Sequence, residues 1–492
     1  MIPQIDLAAI DWMLVPVLAP LLGAIAGFVL PRAATAAGMA GLGLSAVGSA
    51  AITAQVRTGA APSTAIGGWE PPLGIVLAAD GLTAAFLLLT VVLTLAIGTT
   101  RALTPAPARG AAIFWPLMLL LVAGLNGAFL STDIFNIYVT LEVAALAAVG
   151  LAVLTGSAAA LRAALNYLLA GMLGGVLILL GIGLLFHAHG RLDLAGLAAV
   201  AGSAPSDGIA LIAIIAGLAL KAALFPLHAW LPAAHSNAQA PVSALLSALV
   251  LKAPLYVALR LWVGVLDPAT ASGTVLGVMG AGAILWGSVQ ALRAERLKLL
   301  VAYSTVAQVG LISLAFGLSA ANPAAIAWTG AVTLMLAHGL AKAAMFMAAG
   351  RIVEEVGHDR IAELDRSPRR PTLAQFSFAL AAISLIGLPP TLGFAGKWQL
   401  MEGAVRADAW IWLAMAMAGT LLSVGYLSRV LVGFLRFDRV RGAVGEHQGW
   451  TLADGPPLLL AVTAFGAGLF ATHIIALLAA GAPLGQLPGA MQ

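Results

Sequence analysis

Cysteine is absent from all 492 residues, which removes disulfides, thiolate metal sites and cysteine-ligated iron–sulfur clusters together. Charge is nearly as scarce. Asp, Glu, Lys and Arg make up 9% of the chain, against about 25% in an ordinary soluble domain. No Gly-rich phosphate loop, dinucleotide fingerprint or HExxH occurs, so the sequence offers no nucleotide or hydrolytic zinc site, no cofactor and no catalytic centre of its own. No soluble domain or low-complexity linker interrupts it. The head before the first apolar stretch holds Asp6 and Asp11 and no basic residue, so it lacks the positive n-region of a signal peptide and reads as the approach to a retained helix.

What the chain has instead is apolar length. Hydrophobic residues account for 61% of it and the mean hydropathy is +1.02, values that make lipid the solvent for most of the sequence. Apolar runs of about 18 residues or more cross a hydrocarbon core roughly 30 Å thick only as helices, because a lone strand leaves its peptide groups unpaired. The pattern predicts an all-α polytopic membrane protein of about fourteen helices, near 13–30, 33–54, 78–99, 111–130, 134–154, 161–186, 209–227, 241–264, 272–291, 297–317, 324–350, 373–402, 409–435 and 456–480.

Basic residues orient these helices, since cytoplasmic loops collect Lys and Arg. Arg32, Arg101, Arg109, Arg162, Arg293, Arg296, Lys298, Arg351, Arg360, Arg366, Arg369, Arg370, Arg436, Arg439 and Arg441 follow odd-numbered helices, whereas only Arg57, Arg191 and Arg406 follow even-numbered ones. The bias puts the odd loops in the cytoplasm and both termini outside. It also accounts for the formal net charge of +4 without invoking nucleic acid.

The few remaining charges are unevenly used. Arginines fall almost entirely in loops, but four of the five lysines, Lys221, Lys252, Lys342 and Lys397, lie within apolar segments. A charge in the bilayer centre is expensive and is a functional hypothesis by default. Lysine can release its proton when desolvated, while arginine holds its own. The competing reading is a snorkelling or statically paired lysine. Glu142 is the one carboxylate midway along an apolar helix, the fifth, and needs a cation on a neighbouring helix. A change in their separation would shift the proton affinity of both; a fixed structural pair is the alternative.

Prolines mark where two helices break. Pro226 and Pro232 follow Lys221 in the seventh helix, and Gly387, Pro389, Pro390 and Gly393 precede Lys397 in the twelfth. Pro removes a helical donor, and paired Gly/Pro-interrupted spans point to a midplane ion site in a repeat-built transporter. Two broken helices five positions apart predict two inverted five-helix repeats, helices 4–8 and 9–13. The chain then divides into 1–110, 111–265, 266–440 and 441–492. His228 and His235 flank the first break and His338 precedes Lys342 by one turn; imidazole can relay protons between lysines. Asp80 and Asp133 read as helix caps or water-facing groups, and Tyr303, Ser304 and Gln308 as groups able to order water.

These segments carry a family resemblance. GGWEPPLGIVLAADGL at 67–82, DIFNIYVTLEV at 133–143, KAALFPLHAWLPAAHSNAQAPVSALLSALVLKAPLYVALR at 221–260, RLKLLVAYSTVAQVGL at 296–311, HGLAKAAMFMAAG at 338–350 and GLPPTLGFAGKW at 387–398 resemble the proton-translocating subunits shared by complex I, membrane-bound hydrogenases and Mrp-type cation/proton antiporters. The first stretch and the length look most like the D-type branch of the Mrp antiporters. The resemblance implies that Lys221 pairs with Glu142, that Lys252 and His338 continue a central axis, that Lys397 stands at the far exit, and that His228 and His235 belong to an HxWLPxAH segment. Ala233 stands where many relatives carry aspartate, and Pro254, just after Lys252, is unusual.

The resulting expectation is a proton path through Glu142, Lys221, His228, His235, Lys252, His338, Lys342 and Lys397. It would sit in a bacterial inner-membrane subunit of a sodium/proton antiporter, with other membrane subunits as partners. Rival expectations are a pumping module of a complex I-like dehydrogenase or membrane-bound hydrogenase, a proton-coupled inorganic-carbon uptake system, and a scaffold that has lost transport.

Overall fold

In hydrocarbon every unpaired peptide group costs several kcal/mol, so apolar runs close their own hydrogen bonds as helices. The computed structural model of the protein describes residues 11–104, 108–265, 271–319, 324–366, 372–435 and 451–481. Asp6, Arg369, Arg370, Arg436, Arg439 and Arg441 lie outside the described residues, as do the side chains of Arg109 and Arg366.

The chain runs through α1 (Val15–Val29), α2 (Ala34–Arg57), α3 (Gly81–Leu103), α4 (Ala108–Leu130), α5 (Ile134–Ala152) and α6 (Ala158–His189). A short α7 (Leu194–Val200) leads to α8 (Asp207–Lys221) and α9 (Leu231–Asn237), the two halves of one broken helix. Next come α10 (Ala240–Leu245) and α11 (Lys252–Gly264), joined by a π turn at Leu246–Val250. Then follow α12 (Ala271–Arg293), α13 (Leu297–Leu318) and α14 (Ala324–Val356). The second broken pair is α15 (Leu373–Ile386) and α16 (Leu392–Arg406), and α17 (Trp410–Leu435), α18 (Gly455–Gly466) and α19 (Ala471–Ala479) complete the fold.

Among the described residues, 11 helices are long and apolar enough to cross a membrane, and α1 and α15 are shorter apolar helices. The two breaks fall where the prolines place them. One addition to the all-α expectation is a small antiparallel hairpin, β1 (Ser63–Ala65) against β2 (Val76–Ala78). It folds the GGWEPP stretch back and delivers Asp80 to the start of α3. Arg101, Arg162 and Arg351, read as loop residues, lie inside the ends of α3, α6 and α14, where long side chains still reach water.

The α10–α11 span and α14 are wholly enclosed, whereas α6 and α17 leave most of their surface outward. The core is therefore built around α14, which packs against the π turn, α13, α15 and α16. The buried lysines sit on or against these enclosed helices, so their position in the fold follows from the same burial that makes them costly.

Two polar ties close the start of α3. Asp80 caps α3 through Thr83 N–H at 2.9 Å and pairs with Arg260 of α11. Arg260 also donates to Tyr256 and Thr83 hydroxyls, and Tyr256 donates to the Phe129 carbonyl at 2.7 Å. The Gly81 N–H, left open by the helix start, donates to the carbonyl of Ala480 at 2.7 Å. Asp133 likewise caps α5 through Asn136 N–H.

Candidate functional site: a buried line of lysines and histidines

The first element of the site is an ion pair at a helix break. α8 ends on Lys221, because Ala223 turns to a positive φ of 53° and Pro226 cannot continue the helix. The Leu220 carbonyl accepts from the Ala223 N–H at 3.2 Å and from the Trp230 indole N–H at 3.1 Å, and α9 restarts with Pro232 in its first turn. Lys221 Nζ lies 2.9 Å from Glu142 Oε1. What brings them together is a glycine on α6: a Cβ at Gly175 would stand 2.3 Å from Glu142 Oε1. Sequence reasoning overlooked Gly175, although a Gly-Gly pair in a long apolar helix is the signal for a close approach.

Beside this pair, Lys221, Tyr167, Trp230, Val250, Ala253 and Pro254 border a cavity of about 20 Å³, room for one water molecule. Tyr167 stacks on Trp230 at 4.4 Å, with its hydroxyl buried and unpartnered. The cavity thus leads from Lys221 toward the helix that carries Lys252.

The second element is a group of buried bases. Lys252, 0% exposed, donates to the Ser247 carbonyl at 2.5 Å and meets His338 Nδ1. Lys342, one turn beyond His338, donates to the Val301 carbonyl at 2.9 Å and to the Ser304 hydroxyl. His235 is enclosed between Trp230 and Phe346 with both ring nitrogens buried, and Lys252, Lys342 and Lys298 all act on it electrostatically. Among the described residues no carboxylate pairs with any member of this group. Each proton bound there repels the next.

The third element is Lys397. Its ammonium donates to the Leu385 and Ile386 carbonyls at 3.1 and 2.7 Å, the negative end of α15. Gly387 makes this possible twice over: its φ of 84° ends α15, and a Cβ there would come 2.8 Å from Lys397 Cδ. Replacing Gly387 with alanine is expected to cost about 1–3 kcal/mol in backbone strain. It should also push Lys397 off the carbonyls, read as a lowered thermal midpoint and slower transport. An opening of about 480 Å³, lined by Pro389, Pro390, Thr391, Trp398 and Glu402, lies at the same break, with Lys397 behind rather than on its wall.

The sequence-predicted residues therefore fall into one pair, one cluster and one outlying lysine. His228 joins none of them. It stacks on Phe225 at 5.4 Å and faces Trp286, hydrogen-bonding to no other candidate. Lys298, read as a loop charge, instead reaches the Ala238 carbonyl from the first turn of α13 and stands within electrostatic reach of His235. Its signal was that the fifth lysine occurs where arginine is the rule.

A Glu–Lys pair beside buried bases is a set of groups able to hold and pass on protons within an apolar bundle. Residues 131–423 match the family described as NADH:quinone oxidoreductase/Mrp antiporter, TM. The chain belongs to that family. The N-type subunit of NADH-quinone oxidoreductase from Desulforudis audaxviator is 37% identical over 413 residues, covering 82% of this chain and 80% of that one. The D-type subunit of the Na(+)/H(+) antiporter from Bacillus subtilis is 29% identical over 431 residues, 86% of each chain. Among solved structures, a chain of the Mrp complex from a Dietzia species superposes with a TM-score of 0.85 at 25% identity, covering 98% of both chains. That likeness spans the broken helices and the enclosed central ones together.

Proposed function

We propose that the chain is the proton-translocating subunit of a multisubunit sodium/proton antiporter in a bacterial inner membrane. The observation that carries the reading is the Glu142–Lys221 pair at 2.9 Å, set beside buried bases that lack an acid of their own. Closing or opening the pair changes how strongly each partner holds a proton. The neighbouring bases can then take the proton up or refuse it. Protons pass from Glu142 and Lys221 to Lys252, His338 and Lys342, and leave by Lys397, with His235 and Lys298 adjoining the central group.

The similarity to a Na(+)/H(+) antiporter protein over 86% of each chain supports sodium as the exchanged cation. Glu142 supports the need for partners. Its side chain is 24% exposed on a face that also presents Val139, Val143 and Leu146, and lipid is a poor cover for a carboxylate, so another membrane subunit closes over it. Fourteen spans follow if α8/α9, α10/α11, α15/α16 and α18/α19 are each taken as one and the short α7 is left out. In that reading the breaks α8/α9 and α15/α16 fall five spans apart, which supports inverted repeats at 111–265 and 266–440, and the loop arginines favour both termini outside.

The test is transport by the assembled complex in sealed vesicles. An imposed pH gradient is expected to collapse on adding sodium and not on adding choline. A gradient indifferent to sodium, but driven by an electron donor, would establish the second reading. In that reading the chain is a pumping module of a respiratory oxidoreductase, as the 37% identity to an NADH-quinone oxidoreductase protein favours.

A further inference from the structure

The helix bearing Lys252 is irregular in the turn before it. Leu246–Val250 forms a π turn, with the Leu251 N–H reaching the Leu246 carbonyl at 3.4 Å. A π turn accommodates one residue more than the α-helix around it, and such turns gather at functional sites. Two nearby features fit it. Pro254 has no N–H, so the Val250 carbonyl four residues back has no α-helical donor. The Ser247 carbonyl takes the Lys252 ammonium instead, while the Ser247 hydroxyl meets Thr305 of α13 at 2.9 Å.

The surplus residue sets where Lys252 points. Successive α-helical positions are about 100° apart around the axis, so every residue after the π turn lags by one position. In this register Lys252 faces α14 and meets His338. Ala253, one position further round, borders the cavity shared with Lys221, Tyr167 and Trp230. Were the surplus residue absorbed beyond 252 instead of before it, Lys252 would take the position that Ala253 now holds.

We propose that Lys252 has two stations, one on His338 and one in the cavity beside Lys221, exchanged by sliding the π turn along the helix, and that Pro254 is the positioning residue that eases the exchange. The inference rests on the path proposed above and supplies its missing link, since among the described residues no hydrogen bond joins Lys221 to Lys252. At the cavity station a neutral Lys252 amine accepts a proton from the Lys221 ammonium through one water. At the other station the Lys252 ammonium gives a proton to His338 Nδ1, and the neutral amine returns. One proton is taken and one delivered. Pro254 matters because sliding the turn exchanges backbone hydrogen bonds, and a residue without N–H leaves one fewer to break.

The test is Pro254→Ala in the whole complex, reconstituted in vesicles and normalised to assembled protein. Restoring one backbone hydrogen bond, worth about 1 kcal/mol, is expected to slow coupled transport by about fivefold, with amide exchange across 250–256 slowed to match. Wild-type transport, with or without the slower exchange, would overturn the two-station proposal, as would slowed transport with unchanged exchange. Lys221→Ala, measured alongside, separates the failures. If it transports normally, the path itself is wrong; if it is silent while Pro254→Ala is normal, only the sliding turn is.

Discussion

Replacing Lys221 with alanine is expected to abolish ion-coupled proton transport, by about a hundredfold or more, while the subunit still assembles. The magnitude is that of removing a positioned proton-transfer group. The Lys221 side chain is 7% exposed and its one close ionic partner among the described residues is Glu142, so its removal strands a carboxylate and empties the wall of the cavity that leads to Lys252. Glu142→Gln reaches the same pair from the other side. It keeps the shape and loses the charge, and is expected to give the same silence. Transport measured in vesicles beside quantification of the co-purified partner subunits checks both. Wild-type rates in both variants would refute the Glu142–Lys221 mechanism.

Gly175→Val is the second large effect, and it touches neither charged residue. The first carbon of any side chain at 175 would stand 2.3 Å from Glu142 Oε1, so the carboxylate must swing away from Lys221. Widening the pair from 2.9 Å to about 6 Å forfeits roughly 3 kcal/mol of attraction at an effective dielectric near 20. The expected result is a loss of transport close to that of Glu142→Gln. Gly183→Val is the control: it lies on the same helix, and a Cβ there meets nothing within 4 Å. Normal transport in both valine variants would show that the pair need not be close, leaving the carboxylate a structural role.

The residues differ in how far the sequence alone could place them. Lys221, Lys252, Lys342 and Lys397 were legible because lipid makes each charge expensive, and the proline breaks were legible because a missing N–H acts locally. Their partners were less so. The pairing of Lys221 with Glu142 joins α8 to α5, and no periodicity along one helix reports which residue faces it on another; the family resemblance supplied it. Arg260 was passed over inside an apolar run, yet with Asp80, Thr83 and Tyr256 it forms a polar cluster at the start of α3. The π turn is the clearest case. Pro254 signals a disturbed helix, but only the backbone shows that the disturbance stores an extra residue, which changes the face on which Lys252 emerges.

The hydrogen bond from Gly81 to Ala480 also bears on how the protein is made. The third helix leaves the ribosome long before Ala480, which closes its N-terminal end, has been synthesised. Until then its first amide and the Asp80–Arg260 cluster beside it stand at an unsealed edge of the bundle. Closure of the start of α3 thus waits on α19. A variant lacking α19 would keep its whole lysine line yet leave the Gly81 amide without this partner.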